Sequence, residues 1–215
     1  MASALEGIKV LELTRLLAGP FCSMLLGDMG ADVVKIEEPE HGDETRSWAP
    51  TWHGESAGFL SYNRNKRSLG LNLKEQEGID VVLRLAADAD VMIESFRPGA
   101  LDRMGLGYEA ISRVNPRIVY CTISGYGRTG PMAEKPGYDL VIQGYSGLMN
   151  LTGEPDGPPL RVGFALVDLF TGMMTYSSIV TALRHRDNTG EGQWLDMSLL
   201  DGQVAVMSYH GTNYL

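Results

Sequence analysis

The feature that most constrains this chain is a regular exchange between two hydrophobic periods along its first 124 residues. IKVLEL (8–13) is a short, partly alternating apolar run that ends at Thr14 and reads as a strand. In PFCSMLLGDMG (20–30), Phe21, Met24, Leu25 and Met29 recur at helical spacing; Pro20 suits a first turn and Gly30 a C-terminal cap. ADVVKIE (31–37) is a second strand and completes a βαβ unit. SLGLNL (68–73), EQEGIDVVLRLAADA (75–89) and DVMIES (90–95) repeat the order strand, helix, strand. Short helices at 98–105 and 108–115 then lead into the β-branched strand RIVYCTIS (117–124). Strands alternating with helices imply an α/β fold: a mainly parallel sheet with helices on both faces.

After residue 124 the chain becomes GYGRTGPMAEKPGYD (125–139), with four Gly and two Pro, which reads as a long functional loop. Helical stretches resume at 140–150 and 169–185, followed by turn residues at 187–192, a strand at 193–199 and a final helix at 199–210. A net charge of −9 over 215 residues argues against nucleic acid as a partner. Cys22 and Cys121 lie far apart, with neither a CxxC pair nor a nearby His, so no zinc site or disulfide framework is expected. No run of 18 apolar residues and no cationic leader is visible, which predicts a cytoplasmic protein without a membrane partner.

The first βαβ unit invites a dinucleotide reading, with Glu37 on a ribose hydroxyl. The turn, however, is TRLLAGPF (14–21) and lacks G-x-G-x-x-G, so neither nicotinamide nor flavin is expected. Glu37-Glu38 then reads as a solvated strand end. A helix N-terminus after Ala18-Gly19-Pro20 still favours an anion. Arg15, Arg46, Arg64, Lys66, Arg67, Arg97 and Arg103 mostly fall in predicted loops or element ends. NRNKRS (63–68) and SFRPGALDRMG (95–105) would put cations at the strand ends where α/β sheets bind ligands. Their alternatives are solvated surface charges or a phosphate site. In RVGFALVDLFTG (161–172), Asp168 is a lone carboxylate among apolar residues; it reads either as the N-cap of a helix starting near Leu169 or as a reacting group.

Taken together, LTRLLAGPFCSMLLGDMGADVVKIE (13–37), YNRNKRSLGLNL (62–73), ESFRPGALDRMGLGYE (94–109), SGYGRTGP (124–131), GYD (137–139) and VGFALVDLFTGM (162–173) resemble the class III coenzyme A transferases. That family includes formyl-CoA:oxalate, carnitine and succinyl-CoA:dicarboxylate CoA-transferases and is related to α-methylacyl-CoA racemase. The resemblance implies a Rossmann-like large domain, here 1–186, with 187–215 starting the connection toward a smaller domain that is largely absent. It also implies an interlocked homodimer. Full members are about twice as long, so the chain reads as a truncated product or one half of a split protein, with a second copy or a complementing C-terminal half as its expected partner.

By position, the resemblance makes Asp168 the nucleophile. It assigns coenzyme A contacts to Leu16, Leu17 and Ala18; to Leu71, Asn72, Leu73 and Lys74; to Ser95, Phe96, Arg97 and Arg103; and to Lys135. Asp139 and Tyr138 would orient substrate. The racemase branch has histidine where this chain has Tyr138, whose phenol, with a reference pKa of ~10, cannot serve as that base near neutral pH. The implied reaction moves CoA from an acyl-CoA to a carboxylic acid, with a dicarboxylate such as succinate as donor or acceptor. It runs through an aspartyl-acyl anhydride and an aspartyl-CoA thioester, needing CoA as substrate and no metal. Backbone N–H groups near Gly163 or Gly172 are candidate oxyanion donors. The alternatives are a racemase-type isomerase and a CoA-binding fragment without turnover.

Overall fold

The computed structural model describes residues 3–214. The chain runs β1 (Lys9–Leu13), α1 (Ala18–Asp28), β2 (Asp32–Glu37), a 3-10 turn (Glu44–Ser47), the hairpin β3 (Thr51–Trp52) and β4 (Glu55–Ser56), α2 (Ala57–Tyr62) and β5 (Lys66–Gly70). It continues with α3 (Gln76–Ala86), β6 (Val91–Glu94), α4 (Ala100–Arg103), α5 (Tyr108–Val114) and β7 (Val119–Ser124). Then come α6 (Asp139–Tyr145), α7 (Leu148–Leu151), α8 (Leu166–Thr189), β8 (Gln193–Ser198) and α9 (Leu199–Tyr214), the last kinked at Ser208.

Six strands form one parallel sheet in the order β5-β2-β1-β6-β7-β8. Counting only these six, the order is third, second, first, fourth, fifth, sixth: the doubly wound arrangement, whose direction reverses between β1 and β6. Alternation along each strand feeds two cores. Val10, Val91, Ile93, Val119 and Cys121 lie with α1 and α8 on one face; Leu11, Leu13, Met92 and Tyr120 lie with α3, α4 and α5 on the other. Register aligns Leu13 with Glu94, Glu94 with Thr122 and Thr122 with Asp196; β1 and β6 end at this level, and β7 and β8 run two residues further, to Ser124 and Ser198.

Several boundaries differ from the sequence reading. β5 begins two residues early and ends at Gly70, which releases Leu71–Lys74 from the sheet; Leu71 N–H still donates to the Glu37 carbonyl and Lys74 N–H donates to Asn72 Oδ1. The segment 38–65, to which the sequence pattern assigns no element, holds capped structure: Asp43 caps the 3-10 turn through Thr45 N–H, and Ser56 caps α2 through Phe59 N–H. The expected 186/187 boundary falls inside α8, and beyond it β8 is a strand of the same sheet and α9 packs on α8. Glu37 is not a solvated strand end. It is buried, and although burial opposes its charge, Arg46, Ser68 and the Asp43 amide hold its carboxyl down at about 2.

Candidate functional site

The cleft opens at the sheet's C-terminal edge, over the point where the strand order reverses. Its first lobe, about 260 Å³, is lined by the turn 15–19, by Ser95–Pro98, by Ser124 and Gly125, by Glu134–Tyr138 and by Asp168. A second lobe, about 330 Å³, lies between the ends of β1 and β2 and the turn Leu71–Lys74. Arg15 and Phe96 line both lobes. Arg15 ties the loops across the reversal point: its amide donates to Ser95 Oγ at 3.3 Å, and its guanidinium sits 3.6 Å from Glu44 and over the Phe96 ring. Leu16 takes a left-handed conformation (φ 68), unfavourable for a residue with a Cβ.

Asp168 is not an N-cap. α8 begins at Leu166, three residues earlier than expected, so Asp168 sits in its first turn with its carboxylate toward the first lobe. The capping acceptor comes from Asp139: its Oδ2 accepts the amides of Val167 at 2.8 Å and Asp168 at 3.1 Å. Asp139 is itself the first residue of α6, and the helix it caps is α8. Burial, reinforced by the Asp139 charge, pushes the Asp168 carboxyl up to about 7. Among the described residues no hydrogen-bond donor pairs with that carboxylate, which leaves it free for a ligand.

Two devices set Asp139 in place. Gln143, fully buried one turn along α6, donates to Asp139 Oδ1 at 2.5 Å and accepts the Val162 amide at 2.9 Å, so it links the loop before α8 to the cap. Gly125 and Gly137 touch backbone to backbone; a Cβ on either would lie 2.5 Å from the other's Cα. The sequence showed neither link, because Gln143 reads as an ordinary polar residue on a helix. Gly172 is an interior residue of α8, where a Cβ would lie 2.7 Å from the Ala18 carbonyl oxygen; it sets helix packing, not an oxyanion site. Gly163 lies in open space before α8.

Of the positions expected at coenzyme A, Leu16, Leu17, Ala18, Ser95, Phe96, Arg97 and Lys135 line the first lobe, together with Tyr138 and Asp168; Leu71, Asn72, Leu73 and Lys74 line the second. Arg103 ends α4 and is exposed, close to Gly99, and Asp139 stands behind Asp168; neither lines a lobe. The cations divide sharply. Arg46, Arg64, Lys66 and Arg67 are neutralised by Glu37, Asp28, Glu12 and Asp32. The segment 63–68 leads into the start of β5, away from the ligand edge, which corrects the expectation for it. Lys74, Arg97, Arg103 and Lys135 pair with no acidic side chain among the described residues, and three of them line the cleft.

The profile of a family described as CoA-transferase family III matches residues 5–215. The chain is 50% identical over 212 residues to succinyl-CoA:glutarate CoA-transferase of Mus musculus, covering 98% of this chain and 49% of that protein. It is 49% identical over 218 residues to succinate–glutarate CoA-transferase of Agrobacterium fabrum, covering 98% of this chain and 54% of that one. The crystal structure of a CAIB/BAIF family protein from Brucella suis superposes with a TM-score of 0.96 at 46% identity, covering 100% of this chain and 58% of that chain. The chain thus spans about half the length of the curated relatives it matches.

Proposed function

Because this chain belongs to CoA-transferase family III, we propose that it carries the CoA-binding and nucleophile-bearing part of an acyl-CoA:carboxylate CoA-transferase that works on dicarboxylic acids. The carrying observation is the Asp168 carboxylate, unpaired in the first turn of α8 and opening into a cleft at the reversal point of a doubly wound sheet. CoA lies with its phosphates toward Lys74, Arg97 and Lys135 and its thioester toward Asp168. Support for dicarboxylates comes from relatives named for succinate and glutarate. The exposed apolar residues Leu140, Val141, Tyr145 and Phe164 support a partner surface, either a second copy or the remainder of a family-length protein.

Ionised Asp168 attacks the acyl-CoA carbonyl carbon, forming a mixed anhydride and expelling CoA thiolate. The thiolate attacks the aspartyl carbonyl, releases the donor acid and leaves an aspartyl-CoA thioester. The acceptor carboxylate then runs both steps in reverse. A raised carboxyl pKa suits this chemistry, because a poorly solvated carboxylate is the better nucleophile once ionised, while the helix N-terminus favours that anion. Incubation with succinyl-CoA is expected to add to Asp168 the mass of CoA less one water, removable by hydroxylamine and absent in Asp168→Ala. No adduct on folded protein that binds CoA rejects the assignment and leaves a CoA-binding fragment.

A further inference from the structure

Beneath the turn 14–20 lies a charge network that plays no part in the chemistry above. Glu12, fully buried, accepts from Lys35 Nζ at 2.9 Å and Thr14 Oγ1 at 2.8 Å through Oε1; Ser23 Oγ donates to its Oε2 at 2.6 Å, and Lys66 Nζ stands 3.0 Å from the same oxygen. Lys35 also reaches Asp43 Oδ2 at 3.0 Å and donates to the Thr14 carbonyl at 2.8 Å. Lys66 donates to the Pro20 carbonyl and to Asn63 Oδ1, both at 2.9 Å. Asp43 Oδ1 accepts the Leu16 amide at 3.4 Å. Two carboxylates and two ammoniums thus balance to zero. Among their further hydrogen bonds, three go to backbone groups of the turn after β1 and the first residues of α1: Thr14 C=O, Leu16 N–H and Pro20 C=O.

That turn is unlike a relaxed one. Leu16 is held left-handed, and Gly19 packs so closely on the Thr14 side chain that any Cβ there would collide with it. A conformation of this kind persists only where its surroundings over-determine it. We propose that the quartet Glu12, Lys35, Asp43 and Lys66 is a positioning device that locks the turn 14–20 in its ligand-receiving shape and thereby sets affinity for coenzyme A. The inference rests on the reading of the cleft as the CoA site. Lys35 and Asp43 border the second lobe, whereas Glu12 and Lys66 line neither lobe and act only through the turn.

Lys66 makes the device sensitive to pH. Burial lowers its ammonium to about 8, with Glu12 and Asp43 opposing the change and Lys35 abetting it; the Cys22 thiol on α1 faces the same group. Loss of that proton leaves Lys66 two N–H donors for three acceptors, the Pro20 carbonyl, Asn63 Oδ1 and Glu12 Oε2, and leaves Glu12 one cation short.

The test compares wild-type chain with the charge-balanced variant Glu12→Gln/Lys66→Met. Binding is measured by calorimetry with CoA near pH 7, and with desulfo-CoA up to pH 9.5 so that the ligand thiol does not titrate. Amide exchange at Leu16–Phe21 is read in parallel, and Ile111→Ala, in the opposite core, controls for general destabilisation. The expected result is a tenfold or greater rise in dissociation constant and in amide exchange for the double variant, with Ile111→Ala within twofold of wild type. Wild-type affinity should also fall above pH 8, a step the double variant lacks. Unchanged affinity and exchange in the double variant overturn the inference. If wild type binds no CoA, the functional reading falls instead, and the exchange data alone decide whether the network locks the turn.

Discussion

The folded Asp168 carboxyl titrates at about 7 against an ordinary 3.8, so ionisation works against the fold. Below the ordinary value both folded and unfolded chains are protonated and nothing is lost. As pH rises through the window between 3.8 and about 7, the unfolded state ionises first and stability drains away. Asp168→Asn is therefore expected to stabilise the chain at pH 8 by roughly 1–4 kcal/mol, with the gain shrinking toward zero near pH 4. Urea unfolding at three pH values checks this, and a gain independent of pH contradicts it. In the sequence the residue was conspicuous as a lone acid in an apolar run; that it leaves the capping to another aspartate was not, because Asp139 lies 29 residues away and is brought in by α6.

At the level of elements, α8 starts where it does because Asp139 satisfies its Val167 and Asp168 amides, two donors the helix cannot satisfy internally. The same contact sets a like charge beside Asp168, and the two effects separate by substitution. Asp139→Asn removes the charge and keeps an acceptor for the two α8 amides, so the Asp168 carboxyl should titrate lower than about 7; its amide nitrogen then meets Gln143 Nε2 donor to donor, which costs about 1 kcal/mol. Asp139→Ala removes both and should cost about 1–2 kcal/mol. Carboxyl-carbon NMR titration and thermal unfolding read the two quantities. Strands and long helices were legible from period alone, since Val10 and Leu11 must face opposite cores. The hairpin, the 3-10 turn and α2 were not, for they are held by caps from Asp43 and Ser56 and by the Arg46–Glu37 pair, none of which leaves a period.

Across the whole molecule, the doubly wound order explains why segments as distant as 14–20, 71–74 and 95–98 meet in one cleft: each follows a strand at the same edge of a parallel sheet. Strand order is not written in any local pattern, and the resemblance implied only a Rossmann-like domain. The buried quartet beneath the cleft was equally hidden, as Lys35 and Lys66 look like surface lysines until β2 and β5 are set beside β1. The molecule also leaves Leu140, Val141, Tyr145, Leu151, Phe164 and Met173 exposed on or beside α6, α7 and α8. Exposed apolar residues on these neighbouring helices are where the proposed partner would associate. Light scattering of the purified chain is expected to show a mass that climbs above 23.5 kDa with concentration; a constant monomer mass argues against such a surface. The contact between Gly125 and Gly137 has a separate consequence for how this architecture can diversify. The loop between them is cinched at its neck, a closed cassette whose ends already meet, so lengthening or shortening it costs little closure entropy. Glu134 at the cleft wall can thus be exchanged for other chemistry while Asp139, anchored just past the neck, keeps its grip on the helix that bears Asp168.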